Sequence, residues 1–269
     1  MANRIDYTGE KIAAAWSVLV EIMSILAEYR DCFVLIGGWV PSLAFSTRGQ
    51  QHTGSFDVDL AVDTGRICTD NYSTIKDLLR AKGYQQGEQP GVFYRKLTRA
   101  GTETRVQIDL LSGVSQETVN DLMAAEVQKA HGCDLAFDDP RVITISGELP
   151  EGGESTVTVQ VASIVSFLAM KALAFNERLK AKDAYDIHYC LSTYPGGLDA
   201  LVEQFLSHMH RDLVKEGLLR LHKRFSSESA AGPRCVAEFE AVLDPEERDR
   251  LRRDAFERVN YLLRELRMT

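Results

Sequence analysis

Two aspartates one residue apart, Asp57 and Asp59, stand in the segment Ser55-Phe56-Asp57-Val58-Asp59-Leu60, whose alternation of polar and apolar residues predicts a strand. Residues two apart on a strand face the same side. The two carboxylates therefore project together while Phe56, Val58 and Leu60 enter the core. Like charges at that spacing repel unless a shared proton or a cation relieves them. Oxygen ligands of this kind suit magnesium, which takes one or two carboxylates together with water and substrate phosphates. On its own, a D-x-D triplet is more often the solvated end of an ordinary strand.

Two further features favour the chemical reading. An apolar run, Cys32 to Ile36, ends in Gly37-Gly38 and leads towards a helical pattern from Trp39. Glycine lets a backbone approach a ligand closely, and a helix start offers free N–H groups to phosphate oxygens. The second feature is Asp109 in Val106-Gln107-Ile108-Asp109-Leu110, a polar residue alternating with apolar ones and thus a candidate third carboxylate on a neighbouring strand. Three acids around two cations form the arrangement that stabilises attacking and leaving oxygens in phosphoryl transfer. Asp109 is equally compatible with a plain polar strand position.

A third group lies far along the chain. The net charge is −8, so the protein is not a general coat for nucleic acid, yet Lys171, Arg178, Lys180 and Lys182 face only Glu177 over residues 171–182. Lys171 and Arg178 are seven apart and Lys182 and Asp186 four apart, which puts each pair on one helix face. Lys171 sits in an apolar run with Ile164, Val165, Phe167, Leu168, Met170 and Leu173. Its ammonium either snorkels to solvent or neutralises a triphosphate.

The elements that must position these groups follow from periodicity. Helices are predicted over residues 8–30, 39–45, 70–82 and 116–130, and strands over 32–36, 56–62, 92–97, 103–111, 141–146 and 155–161. Residues 49–55 are polar and loop-like, 99–101 make a turn, and Gly-rich 147–153 turns between the last two strands. From Ala162 onward helical periodicity dominates, broken near 195–197 and 226–234. The expected fold is α+β, with a mixed-sheet catalytic core over 1–161 and a helical half over 162–269. Hydrophobic content of 45% is enough for a well-buried core, and no run is long and apolar enough to span a membrane. Five scattered cysteines without a C-x-x-C pair suit reduced thiols in a cytoplasmic protein. His208 and His210, two apart on a helix, point to different faces and make a poor metal pair.

The glycine pair, the Asp57-Val58-Asp59-Leu60 strand and the later strand aspartate together resemble the nucleotidyltransferase signature of the DNA polymerase β superfamily over residues 32–111. The block from Lys171 through Arg178 to Lys182-Asp183-Ala184-Tyr185-Asp186-Ile187 resembles the AbiEii family. That resemblance implies a polymerase β-like core and an enzyme that moves a nucleoside monophosphate from an NTP, with pyrophosphate leaving. It further implies that Lys171 binds the triphosphate and that Asp186 is a required active-site residue. In this frame Asp57, Asp59 and Asp109 hold Mg2+, Gly37, Gly38 and Arg178 join Lys171 around the nucleotide, and Asp186 positions the acceptor or the nucleotide. Asp183 is as readily a helix-surface charge or cap as a working residue. The family includes toxins of type IV-like toxin–antitoxin pairs, some acting on tRNA 3′ ends, so a tRNA or other RNA acceptor and a cognate antitoxin are the implied partners.

The chain departs from the family pattern in three places. Trp39 stands where a Ser or Thr commonly follows the glycine pair, the stretch from Gly38 to Asp57 is long, and the nearest arginine before the acids is Arg48. An antibiotic-modifying nucleotidyltransferase acting on an aminoglycoside or lincosamide hydroxyl shares the glycine pair and D-x-D layout and is the nearest alternative. An inactive binding protein of the same fold is disfavoured by intact Asp57, Asp59 and Lys171.

Overall fold

The structure, a computed structural model, describes residues 3–45, 51–67, 69–99, 101–114 and 125–268. The chain forms two compact units. A sheet unit takes Thr8–Leu43 and Gly54–Ser163, and a helical unit takes Met1–Tyr7, Ala44–Thr53 and Ile164–Thr269. The units part between Ser163 and Ile164, two residues beyond the expected boundary, and two early segments group with the helices.

In the sheet unit α1 (Gly9–Ile25) is followed by β1 (Phe33–Ile36), the short α2 (Val40–Ala44), β2 (Asp57–Val62) and α3 (Thr69–Ala81). Then come β3 (Tyr84–Gln86), β4 (Val92–Arg99), β5 (Thr102–Ser112), β6 (Gln128–Lys129), β7 (Arg141–Glu148) and β8 (Glu154–Val161). The strands make one mixed sheet in the order β3-β4-β5-β2-β1-β8-β7, with β6 pairing β5. β1 is Phe-Val-Leu-Ile and buried throughout, as a strand covered on both faces should be. It runs antiparallel to β2 and parallel to β8, and β2 runs parallel to β5.

One sheet face is closed by α1. Val18, Leu19 and Ile22 of that helix are fully buried, and it lies against β5, β7 and β8. Arg95 of β4, buried, reaches Glu21 of α1 (Nε–Oε2 3.0 Å) and Glu151 (2.9 Å). Arg95 pairs with Val106 in the β4–β5 ladder. By strand alternation both lie on the face opposite Gln107 and Asp109. The anchoring of α1 and the display of the acids thus use opposite faces.

The helical unit contains α4 (Ile164–Arg178), α5 (Ala181–Thr193), α6 (Gly197–His208), α7 (Asp212–Arg224), α8 (Ala231–Glu240) and α9 (Pro245–Glu265). α4 packs on α7, and α8 packs on both α5 and α9, around fully buried Phe175, Tyr185, Phe205, Phe225 and Phe239. α9 starts sharply because Asp244 accepts the Glu247 N–H at 2.8 Å and Pro245 fills the first helical turn.

Three sequence expectations change. The helix expected over 116–130 falls mainly on residues 115–124, outside the described residues, and the following Gln128 and Lys129 form β6 instead. The helical pattern through 171–186 is two helices, because Leu179 takes a left-handed conformation (φ 49°) and ends α4. Helices often end on such a residue, but it is usually glycine, so Leu179 carried no sequence signal. The expected helix from Trp39 begins as a 3-10 turn, Gly37–Trp39, and continues for only five residues as α2.

Candidate active site

The parallel pairing of β2 with β5 brings the sheet unit's acids together. Asp57 lies opposite Gln107, and Asp59 lies opposite Asp109. All four positions share one face, and Val58, Leu60, Ile108 and Leu110 between them are fully or almost fully buried on the other. The three aspartates are half-buried. Asp109 is oriented by amides: Gln107 Nε2 donates to both its oxygens at 2.9 Å, and Gln128 Nε2 donates to Oδ1 at 3.3 Å. Gln128 comes from β6, which pairs with the last two residues of β5.

The glycine pair is fitted to these acids. Ile36 pairs with Asp59, so Gly37 follows directly beside that carboxylate. Gly37 has φ +70°, and a Cβ there would collide with the Asp59 side chain. A Cβ on Gly38 would come within 2.7 Å of Ser55 Oγ. Ser55 in turn donates a hydrogen bond to Asp57 Oδ1. Trp39 is buried, donates from Nε1 to the Asp57 carbonyl at 2.9 Å and packs against Trp16 at 5.3 Å between ring centroids. The residue that departs from the family pattern therefore anchors the start of β2, and the hydroxyl beside the acids comes from Ser55.

The donor set of this face is oxygen only, which fits the magnesium that the resemblance implies. Being half-buried, it leaves room for water and phosphate oxygens in a cation's shell. Cys133 is the soft ligand nearby, but burial pushes its thiol up to about 12, with Asp134 and Asp59 adding to the shift, so it stays protonated. Among the described residues no three His, Cys, Asp or Glu side chains are grouped closely enough to hold a metal ion between them. Asp109 is turned to its two amides.

The helical unit holds a different cluster. Lys171 of α4 does not snorkel. Its Nζ lies 2.9 Å from Asp183 Oδ1 and 2.9 Å from Asp186 Oδ2, the second contact an ion pair without hydrogen-bond geometry. Arg178 grips Asp183 through Nε (2.8 Å) and Nη2 (2.9 Å). The turn at Leu179 is what lets both cations of α4 meet this one carboxylate of α5. Asp186, wholly buried, also takes Lys182 and His52 Nε2, the latter at 2.8 Å. The Lys182 ammonium lies 5.5, 5.2 and 5.7 Å from the ring centres of Tyr7, Tyr185 and Phe239, at cation–π range.

Burial disfavours the charges of Lys171, Asp183 and Asp186, and pairing outweighs it. The Lys171 ammonium is held above its ordinary range by Asp183 and Asp186. The carboxyl of Asp183 is held down by Lys171 and Arg178, and that of Asp186 by Lys171, Lys182 and His52. His52 goes the other way. Burial first, then Lys182, lower its imidazole to about 4 despite Asp186, so it is neutral near pH 7.

Sequence reading had singled out Lys171, Arg178, Lys182 and Asp186, and the structure joins all four. Asp183, left open by that reading between a surface charge or cap and a working residue, is fully buried and binds two cations. The reading missed His52, which lies 134 residues from its partner Asp186 and belongs to no local pattern. Gln107 and Gln128 were also missed. Gln107 had a signal, since it shares a strand face with Asp109 two residues on. Arg48 lies outside the described residues.

A mixed sheet that sets a D-x-D strand beside a third aspartate and a glycine turn, followed by a helical unit, defines an α+β protein built for chemistry on phosphates. The family model described as nucleotidyl transferase AbiEii toxin, type IV TA system, matches residues 21–262, and the chain belongs to that family. It is accordingly an enzyme of the nucleotidyltransferase type, with a nucleoside triphosphate as the substrate the family implies. No curated protein matches the chain. Among the described residues no helix is long and apolar enough to cross a membrane.

Proposed function

We propose that the protein transfers a nucleoside monophosphate from an NTP to a hydroxyl of RNA, tRNA foremost, in a magnesium-dependent reaction. It does so in the cytoplasm as the toxin of a toxin–antitoxin pair, restrained by a cognate antitoxin. The observation that carries this reading is the register of β2 on β5, which sets Asp59 beside Asp109 with Gly37 against Asp59.

In this reaction the acceptor hydroxyl oxygen bonds to the α-phosphorus, and the bond from that phosphorus to the bridging oxygen breaks. Pyrophosphate leaves with the electron pair, and the hydroxyl proton passes to a base. Asp57 and Asp59, with Asp109 as the third oxygen donor, would hold magnesium, which would supply positive charge to the phosphate oxygens. Gly37 and Gly38, bare of side chains, allow phosphates close to the backbone. Ser55 fixes the rotamer of Asp57, and Gln107 and Gln128 fix that of Asp109. From the helical unit this reading takes Lys171 as the cation for the triphosphate and Arg178 as its companion. Asp186 is the carboxylate that holds the ammonium in place. Their match to the AbiEii block supports these roles.

The test is incubation of wild type and Asp59→Ala with labelled NTPs, magnesium and total RNA. Label on RNA with wild type alone is expected. Label on an aminoglycoside or lincosamide instead of RNA would overturn the acceptor.

A further inference from the structure

Beside the acids the same sheet face continues across β5, β4 and β3. Asp57 pairs with Gln107, Gln107 with Tyr94, and Tyr94 with Gln85, so these four residues form one row across four adjacent strands. With strands about 4.8 Å apart, the row runs about 14 Å from the acids, the reach of one or two nucleotides. It crosses a cleft of about 480 Å³ whose lining includes Gln85, Glu88, Gln89, Tyr94, Arg105 and Gln107. Arg105 stacks over the Tyr94 ring, 4.2 Å from its centre. It is exposed and, among the described residues, makes no ion pair. Gln107 spends its amide N–H on Asp109, which leaves its carbonyl oxygen as an acceptor facing the cleft.

We propose that this cleft seats the 3′-terminal nucleotides of a single-stranded RNA acceptor, delivering the terminal hydroxyl along the row to Asp109 and Asp57. The inference rests on the proposed RNA-directed transfer and deepens it. Each component matches a part of that ligand. The Tyr94–Arg105 stack offers a planar, cationic platform for a base, the open guanidinium takes a backbone phosphate, and the glutamine amides meet base edges and ribose hydroxyls. Amides and a tyrosine ring suit neutral, planar groups, and the two exposed charges of the cleft, Arg105 and Glu88, are of opposite sign.

The test uses the full chain with a fluorescein-labelled single-stranded RNA that bears a free 3′ hydroxyl. Binding is followed by anisotropy without NTP, and transfer is followed with NTP and magnesium. Tyr94→Leu and Arg105→Gln change exposed or half-buried side chains and should fold as wild type does. The expected result is RNA affinity about tenfold weaker in each, from loss of one stacking partner or one phosphate contact. KM for RNA should rise to match while KM for NTP stays within twofold. Arg105→Gln should also flatten the salt dependence of binding by about one phosphate's share.

RNA affinity within twofold of wild type in both variants overturns the site, as does a wild-type chain that binds no RNA. So does a rise confined to KM for NTP, which would give the cleft to the incoming nucleotide. Failure of the underlying reaction is seen separately. If the variants weaken RNA binding but wild type transfers no label, the cleft stands and the proposed transfer falls.

Discussion

The sheet unit and the helical unit both gather ionisable side chains, but on opposite terms. On the sheet three carboxylates of one sign share a half-exposed face, oriented by neutral amides and a hydroxyl (Gln107, Gln128 and Ser55). In the helices two carboxylates are buried against three cations, Lys171, Arg178 and Lys182. A same-sign cluster open to solvent gains most from a ligand that brings opposite charge. A buried, compensated cluster already pairs its own charges, so losing one member strands a partner whatever that member also binds. The contrast predicts that mutations on the sheet face cost activity and not stability, and that mutations in the helical cluster cost stability first.

The largest effect is expected at Asp57 and Asp59. Either residue changed to Ala should reduce nucleotide transfer at least a thousandfold, about 4 kcal/mol or more of lost transition-state stabilisation. The melting temperature should hold or rise slightly, because one of three like charges is gone. Substantial transfer by both variants would remove the metal assignment. Gly37→Ala comes next. A Cβ at φ +70° would be strained and would strike the Asp59 side chain, so transfer should fall at least tenfold. Circular dichroism checks that the sheet survives, and an active Gly37→Ala would show that Asp59 can move without cost.

Lys171→Met probes the other side of the comparison. Viewed as a solvent-seeking lysine, the residue should tolerate this change. The structure instead pairs its ammonium with Asp183 and Asp186, and removing it leaves two buried carboxylates facing each other across the gap. Breaking such a pair costs about 3–5 kcal/mol, to be measured as a lower urea midpoint. Asp186→Asn, which leaves Lys171 and Lys182 short of a partner, should cost a similar amount. If Lys171→Met unfolds at the wild-type midpoint, the cluster is not the structural core described.

These two regions were legible in the sequence to different degrees. The acid face was readable because a strand's period of two fixes which side chains share a face, so Asp57 with Asp59, and Asp109 against its apolar neighbours, followed from spacing. The pairing of β2 with β5 was not readable, since register is a tertiary fact. The helical cluster offered only half its members. Lys171, Arg178, Lys182 and Asp186 stood out through resemblance and helical spacing, but the break at Leu179 has no glycine to announce it. Without that break, Asp183 belongs to a surface. His52 arrives from a segment far from the helices in sequence, and burial rather than pattern gives it its role.

The imidazole of His52 supplies the pH dependence. Its folded value is about 4 against about 6.5 in the unfolded chain. Between those values the unfolded state binds a proton that the folded state refuses, so stability rises with pH across the window. The contribution is complete above about pH 6.5 and is lost as pH falls towards 4. It amounts to on the order of 3 kcal/mol, at 1.36 kcal/mol per pH unit. His52→Gln keeps a donor for Asp186 and cannot titrate. Its unfolding free energy should vary less than that of wild type between about pH 7 and pH 4.5. Parallel curves for the two proteins would mean that His52 takes up its proton in the fold as readily as in the unfolded chain.

The smallest effect is expected at Arg178, and it separates the cluster's interior from its rim. Arg178 and Lys171 both bind Asp183, but the Arg178 side chain is 53% exposed and that of Lys171 only 10%. Water screens the guanidinium and can replace it, and an exposed pair contributes about 0–1 kcal/mol. After Arg178→Ala, Asp183 keeps Lys171, and the buried carboxylate is still neutralised. The urea midpoint should therefore move by no more than about a quarter of the shift seen for Lys171→Met, taking the two costs as about 1 and 4 kcal/mol. The double variant adds the decisive comparison. Two residues on one carboxylate are coupled, so once Lys171 is gone Asp183 depends on Arg178 alone, and Arg178→Ala should cost more in the Lys171→Met background than in wild type. Strictly additive costs would mean that the two cations do not share Asp183, and the cluster would then be two separate ion pairs.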